Sequence, residues 1–344
     1  MARGEWGRLV VRTLGQVAVA ALLVACGVAH SGTAAVGETL GERELHVIPG
    51  TPIPPPAPDP AQAAIERWLP SRAGDEQLRA LVDEAMRSGR GRKVADRAIQ
   101  TVGDLSTIRT LLVDEGLPDL FLGIPYWESN FTDDAVSRSC AAGVWQLMPE
   151  TAFELGVAVQ NCRIGDVVWS PTPGVPASPA SPYRGEGCAI DACEVDGRFD
   201  LAQSTRAAVK HLERMWRAKE VVDRDDRAGL VVIAYNTGYG AVLQHLGRAE
   251  ASGGHPLDNL GECADGRCAT LSPQGAHYLP GVLASAALAT CAAAEVPGTR
   301  FAQDRQSALC QSLRLQGLVP DKLNPSGLDP NGLGQAASER PPRG

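Results

Sequence analysis

The chain lacks an excess of positive charge. Its 40 acidic residues outnumber 32 Lys and Arg, for a net charge of −8, whereas a protein that tracks nucleic-acid phosphates needs a basic face. Long hydrophobic runs are also missing. Beyond the first thirty residues no stretch of eighteen or more apolar residues occurs, which excludes a multi-pass membrane protein. Strand-like alternation of any length and internal repeats are absent too, so sandwiches, barrels and solenoids lack their sequence signature. What is present is ample apolar material. Of 344 residues 44% are hydrophobic and 21% charged, enough to bury at least one sizeable core.

The N-terminus differs in character from the rest. Arg3, Arg8 and Arg12 precede an apolar run from Leu14 to Ala25, the layout of an export signal. The run is too short to span a membrane comfortably. It ends Leu23-Val24-Ala25-Cys26-Gly27, which resembles a bacterial lipobox. Residues 1–25 then read as a lipoprotein signal peptide, with Cys26 diacylated as the new N-terminus. Gly27, in place of Asp, suggests sorting to the outer membrane, with the protein on its periplasmic face. An ordinary signal peptide with a chance cysteine is the alternative. Residues 26–60 form the lipidated N-terminus and a tether, in which Pro49 to Pro60 favour a stiff polyproline conformation.

Eight cysteines remain after Cys26, and an even number in an exported chain reads as four disulfides. The short spacings suggest Cys188–Cys193 and Cys263–Cys268. The simplest remaining pairs are Cys140–Cys162 and Cys291–Cys310, out of 105 possible connectivities. A four-cysteine zinc site built from the two short-spaced pairs is the competing reading, but an oxidising compartment favours disulfides. No metal or other cofactor is expected.

Helix signals dominate the middle of the chain. Asp75 can cap a helix carrying Leu78, Leu81, Val82 and Met86 on one face. Ile108, Leu111 and Leu112 form a second stripe, stopped by Gly116. Leu120 to Glu128 and Gly229 to Ala234 are apolar nearly all round, as buried helices are. Ser204 is a candidate N-cap for a helix with Ala208, Leu212, Met215 and Trp216, and Tyr278 to Ala294 is helical and alanine-rich. Residues 61–105 read as an N-terminal helical extension and 106–295 as the main domain. An insertion at about 160–198 interrupts that domain, its residues 170–187 forming a proline-rich loop. Residues 296–344 read as a largely disordered tail. The fold class expected is mainly α.

Three segments carry the chemistry. Glu128 lies in Ile124-Pro-Tyr-Trp-Glu128-Ser129-Asn130-Phe131, where aromatic neighbours disfavour the carboxylate and make the group a proton donor near neutral pH. Gly143-Val-Trp145-Gln146-Leu-Met148-Pro149 offers small residues for close approach and an amide for sugar hydroxyls or N-acetyl groups. Ala234-Tyr235-Asn236-Thr-Gly238 ends a buried helix with a phenol and an amide. Together with Glu115-Gly-Leu-Pro118, Ser204 to Ala208 and Tyr278-Leu-Pro280, these segments resemble the family 1 lytic transglycosylases over about residues 100–290. Within that family the membrane-bound lytic murein transglycosylase D group is the most similar. Its goose-lysozyme-like fold cleaves cell-wall glycan.

The resemblance implies that Glu128 acts alone, first as acid and then as base, leaving 1,6-anhydromuramoyl ends. Ser129, Gln146, Tyr235 and Asn236 would hold the sugar and the carboxyl group. Peptidoglycan strands are the implied partner, and the membrane is reached through the lipid anchor. No C-terminal LysM repeat follows, which many relatives carry. Two other readings stay open. A goose-type lysozyme would need a second carboxylate to activate water, with Asp133 and Asp134 as candidates. A non-catalytic glycan-binding lipoprotein would need no turnover at all.

Overall fold

The computed structural model describes residues 59–164, 167–169, 193–252, 255, 257 and 273–320. The expected signal peptide, Cys26, nearly all of the tether, the proline-rich loop at 170–187 and the Cys188 and Cys263–Cys268 positions lie outside the described residues.

Capping and apolar spacing account for the first helices. Asp59 accepts a hydrogen bond from Ala61 N at 2.9 Å to open α1 (Pro60–Trp68), with Pro60 in the first turn. Asp75 caps α2 (Glu76–Arg87) through Leu78 N at 2.9 Å, and Leu78, Val82 and Met86 are buried on its inner face. Ser88 ends α2 and caps α3 (Gly89–Gln100). In α4 (Val102–Asp114) Leu105, Ile108 and Leu112 point inward, and the chain then turns at Gly116 with φ +66°. A single 3-10 turn, Asp119–Leu122, leads into α5 (Gly123–Ser129), followed by α6 (Pro149–Glu154).

Three short strands come next: β1 (Val159–Ile164), β2 (Val167–Trp169) and β3 (Cys193–Asp196). They form one antiparallel sheet of order β2-β1-β3. This corrects the expectation of no strands. Segments of three to six residues are too short to show alternation, and β3 joins from far along the chain. Then α7 (Leu201–Trp216) begins at Asp200, whose side chain accepts from Gln203 N at 2.8 Å. Ser204 is therefore not its cap. Buried in the first turns, it returns its hydroxyl to Asp200 O at 2.8 Å. The remaining helices are α8 (Arg227–Thr237), α9 (Tyr239–Ser252), α10 (Pro273–Ala294) and α11 (Ala308–Leu315).

The fold is organised around α10, against which α1, α2, α3, α5, α8 and α11 all pack. Its His277–Ala294 stretch is apolar enough to cross a membrane by composition, yet 94% of it is buried inside the protein. A core helix has the same character. Small residues bring its neighbours unusually near. A Cβ on Gly123 of α5 would stand 2.1 Å from Val282 O, and one on Gly281 of α10 would stand 2.5 Å from the Trp127 ring. The helices at 61–105 thus share the core that holds α5.

The chain also stays ordered beyond residue 296, where a tail was expected. Phe301 is buried, Ala302–Gln306 form a 3-10 turn, and α11 follows, with Val319 buried after it. Charges lock this end in place. Arg67 reaches Asp119 at 2.7 Å and Asp304 at 3.0 Å, and Arg109 reaches the same two carboxylates at 3.1 and 2.6 Å. Polar residues in the 297–306 stretch disguise this packing, since Asp304 is buried against arginines and not solvated.

Two disulfides join described residues. Cys291–Cys310 ties α10 to α11 as expected. Cys162, however, pairs with Cys193, which overturns both Cys140–Cys162 and Cys188–Cys193. Sheet register is the reason. β1 and β3 run antiparallel with Cys162 opposite Cys193, their Cα atoms 3.8 Å apart, so residues 31 apart in sequence meet face to face. Engagement of Cys193 also removes it from the four-cysteine zinc alternative. Cys140 is disulfide-bonded to a cysteine outside the described residues.

Gly281→Ala should force the Trp127 ring away from α10. Urea unfolding should then report a loss of about 1–3 kcal/mol, the usual cost of overpacking. An unchanged midpoint would show that the α5–α10 approach is not tight.

Candidate active site

Helix α5 stops abruptly after Ser129. Asn130 and Phe131 both take positive φ, 52° and 56°, and their amides close back on Tyr126 O at 2.9 Å and Pro125 O at 3.1 Å. Two consecutive non-glycine residues in this region carry strain that the surroundings must hold. The buried Phe131 ring supplies part of that hold, stacking on Tyr126 at 5.1 Å. Glu128 is thereby fixed on the last turn of a short helix.

Ser129 is committed to the backbone. Its hydroxyl donates to Val144 O at 2.9 Å, with Pro125 O also near at 3.1 Å, and it accepts from Thr132 N at 3.1 Å. The single hydroxyl proton is thus unavailable to Glu128. The role of Ser129 is to join the end of α5 to the loop that carries Gln146.

That loop is built from within and from below. Ala142 and Leu147 exchange backbone hydrogen bonds at 3.1 and 3.2 Å. Gly143 has φ +75°, and a Cβ there would stand 2.1 Å from Arg198 O, so only glycine fits. Arg198, 3% exposed, donates to Cys140 O at 2.5 Å and Leu147 O at 3.1 Å while paired to Asp196 at 2.6 Å. Trp145 is buried with its indole N–H on Thr205 Oγ1 at 3.0 Å. Gln146 spends both amide protons on Ala135 O and Gly143 O, at 3.1 and 2.9 Å. Its Oε1 accepts nothing among the described residues. Met148 is partly buried against the core.

Tyr235 connects the third segment to the second. Its hydroxyl donates to Trp145 O at 2.8 Å. Asn236, the next residue, is exposed. Glu128, Gln146 and Tyr235 therefore belong to one hydrogen-bonded scaffold, with Asn236 at its rim.

The nearest partner of Glu128 is a residue not chosen from the sequence. Tyr278, on α10 and 2% exposed, donates its hydroxyl to Glu128 Oε1 at 2.6 Å. Arg90 of α3 also faces the site. Its guanidinium lies 4.3 Å from the Trp127 ring centroid and bonds Trp127 O. Burial raises the Glu128 pKa above its ordinary 4.5, outweighing the opposing pull of Tyr278 and then Arg90. No second carboxylate is among the groups that shift it. Asp133 instead stands near Asp104, whose pKa is raised by burial and then by Asp133. Tyr235 and Tyr278 are both held well above the usual phenol value, by burial first and by the Glu128 charge second. Both stay neutral donors. Tyr278 could have been found through the Tyr278-Leu-Pro280 likeness, but Arg90 gives no signal, standing outside the buried stripe of its helix.

This arrangement provides one carboxylic acid whose proton burial favours, and two groups that stabilise its anion once the proton has left. A family model described as "Transglycosylase SLT domain" matches residues 110–167, the span that holds Glu128, Ser129 and Gln146. No curated protein matches the chain. Over that span the chain is similar to this domain, and its mainly helical fold is lysozyme-like.

Tyr278→Phe removes a hydrogen bond that lowers the Glu128 pKa. The alkaline limb of the kcat/KM profile, where the acid loses its proton, should move to higher pH. Arg90→Gln should move it the same way. Profiles that coincide with wild type would contradict this electrostatic assignment.

Proposed function

We propose that the protein is a peptidoglycan lytic transglycosylase. It cleaves the β-1,4 bond from N-acetylmuramic acid to N-acetylglucosamine without water and leaves 1,6-anhydromuramoyl ends. The observation that carries this reading is one partly buried carboxyl group bonded to Tyr278 at 2.6 Å, with no second carboxylate among the groups that shift its pKa. Conventional glycosidases use two carboxyl groups, and here one must serve both steps.

In the first step Glu128 gives its proton to the glycosidic oxygen, and the bond from that oxygen to the muramoyl C1 breaks. The substrate's acetamido oxygen shares the positive charge left at C1. Glu128 is now an anion in a partly buried site, and the Tyr278 hydroxyl and Arg90 charge stabilise it. In the second step the anion takes the proton of the muramoyl C6 hydroxyl, whose oxygen bonds to C1. The ring closes and Glu128 returns to its acid form.

The free Oε1 of Gln146 supports a contact to a sugar N–H or O–H, and the exposed Asn236 amide supports another at the rim. Tyr235 and Ser129 act through the loop they brace. The Leu23–Gly27 sequence supports acylation at Cys26 and a position on the periplasmic face of the outer membrane. From there, the Pro49–Pro60 tether reaches the wall.

Glu128→Gln should abolish release of anhydromuropeptides from purified sacculi, a loss of at least about 100-fold for removing a general acid. It should also be the more stable protein at neutral pH. The raised carboxyl pKa favours the folded state below 4.5, and that contribution is lost as pH rises through the raised value. The melting-temperature gap between variant and wild type should therefore open from acid toward neutral pH. Mass spectrometry of wild-type products should find anhydro ends. Reducing ends would assign a hydrolase instead.

A further inference from the structure

The turn that follows Glu128 is held from a further direction. Asn130 and Phe131 occupy the left-handed region in succession, φ 52° and 56°, a conformation that persists only where the surroundings impose it. Stacking of the Phe131 ring on Tyr126 restrains the turn through its side chain. Arg97 of α3, partly buried, restrains it through the backbone. Its guanidinium donates to Phe131 O from Nη2 at 2.9 Å and from Nε at 3.3 Å. Two donors of one planar group fix the direction of the carbonyl as well as its distance.

Arg97 belongs to a row. Counting from Arg90 it sits at i+7, and Thr101, at the C-cap of α3, sits at i+11. Those positions share one face of a helix. Arg90 bonds Trp127 O and covers the Trp127 ring. Thr101 Oγ1 shares a hydrogen bond of 2.9 Å with the Tyr126 hydroxyl. The three side chains therefore grip residues 126, 127 and 131, on both sides of Glu128 in the sequence. The buried Gly91, Val94, Ala95 and Ala98 seat the helix in the core, and α3 packs on α10, which carries Tyr278. One rigid body thus bears the groups that hold the Glu128 turn and the phenol that meets its carboxyl group.

We propose that Arg97 is a positioning residue for the reaction. It acts on no part of the substrate. It fixes the turn through which Glu128 is held against Tyr278, so the catalytic geometry depends on a helix that reads from sequence as an extension. This inference rests on the acid–base reading of Glu128.

The test uses the full chain and compares Arg97→Ala and Arg97→Lys with wild type, with Lys93→Ala, on the exposed side of the same helix, as the control. Activity is read as total soluble fragments released from purified sacculi, whatever the chemistry of their ends. Arg97→Ala should lose about tenfold in kcat with KM unchanged, within the cost of slightly misplacing a reacting group. Arg97→Lys keeps one donor for the carbonyl and should recover part of the loss, and Lys93→Ala should match wild type. Made in Tyr278→Phe, Arg97→Ala should cost clearly less, because the bond that the turn aligns is already gone. Equal losses in both backgrounds would mark a role in stability alone and overturn the proposal, as would no loss in either. Hydrogen exchange at the Asn130 and Phe131 amides, which bond Tyr126 O and Pro125 O, reads the turn without catalysis. Exchange should quicken at both in Arg97→Ala and stay as in wild type along the core of α10, and unchanged exchange at the turn would also overturn the proposal. Should the wild type release no fragments, the reading of Glu128 fails, and the exchange data alone decide whether Arg97 holds the turn.

Discussion

The hydrogen bond from Tyr278 to Glu128 depends on how closely α5 lies on α10. Gly123 against Val282 O and Gly281 against the Trp127 ring leave no room for a Cβ at either place. That approach brings a carboxyl group near the end of one helix to a phenol on another 150 residues later. Burial then favours the acid, while Tyr278 and Arg90 favour the anion, and one side chain is suited to give a proton and to take one back.

The rest of the fold serves to hold that approach and the loop beside it. Helices α1 to α3 and α11 surround α10, and the Arg67–Asp119–Arg109–Asp304 cluster joins the two ends of the described chain. Breaking such a cluster on one side would leave a buried charge without compensation, a cost of about 3–5 kcal/mol. Around the Gly143–Met148 loop the support comes from Arg198, Thr205, Ser129 and Tyr235, each bonded to a different part of it. Gln146 consequently presents an acceptor from a fixed frame. Preorganised polar groups of this kind stabilise developing charge without reorganising during the reaction.

Much of this was legible in the sequence. A helix with a one-sided apolar stripe and a clear cap, such as α2, and one apolar all round, such as α10, follow from local sequence alone. Glu128 with its aromatic neighbours, Gln146 and Tyr235 were marked by residue type and by their place at the ends of apolar runs. What stayed hidden depends on distance along the chain. The Cys162–Cys193 pairing follows from strand register, Tyr278 meets Glu128 only through helix packing, and Arg90 reaches Trp127 from outside the buried Gly91, Val94, Ala95 and Ala98 stripe of its helix. Ser129 shows the reverse error. Its position beside Glu128 suggests a partner for the carboxyl group, but its hydroxyl is spent on the backbone of the neighbouring loop.

Burial raises the Glu128 pKa above that of an ordinary carboxyl group, and the proposed acid role depends on it. Carbon-13 NMR titration of glutamate carboxyl groups tests it most directly, with the Glu128 signal assigned by its loss in Glu128→Gln. A midpoint clearly above 4.5 is expected. A midpoint at or below 4.5 would contradict it.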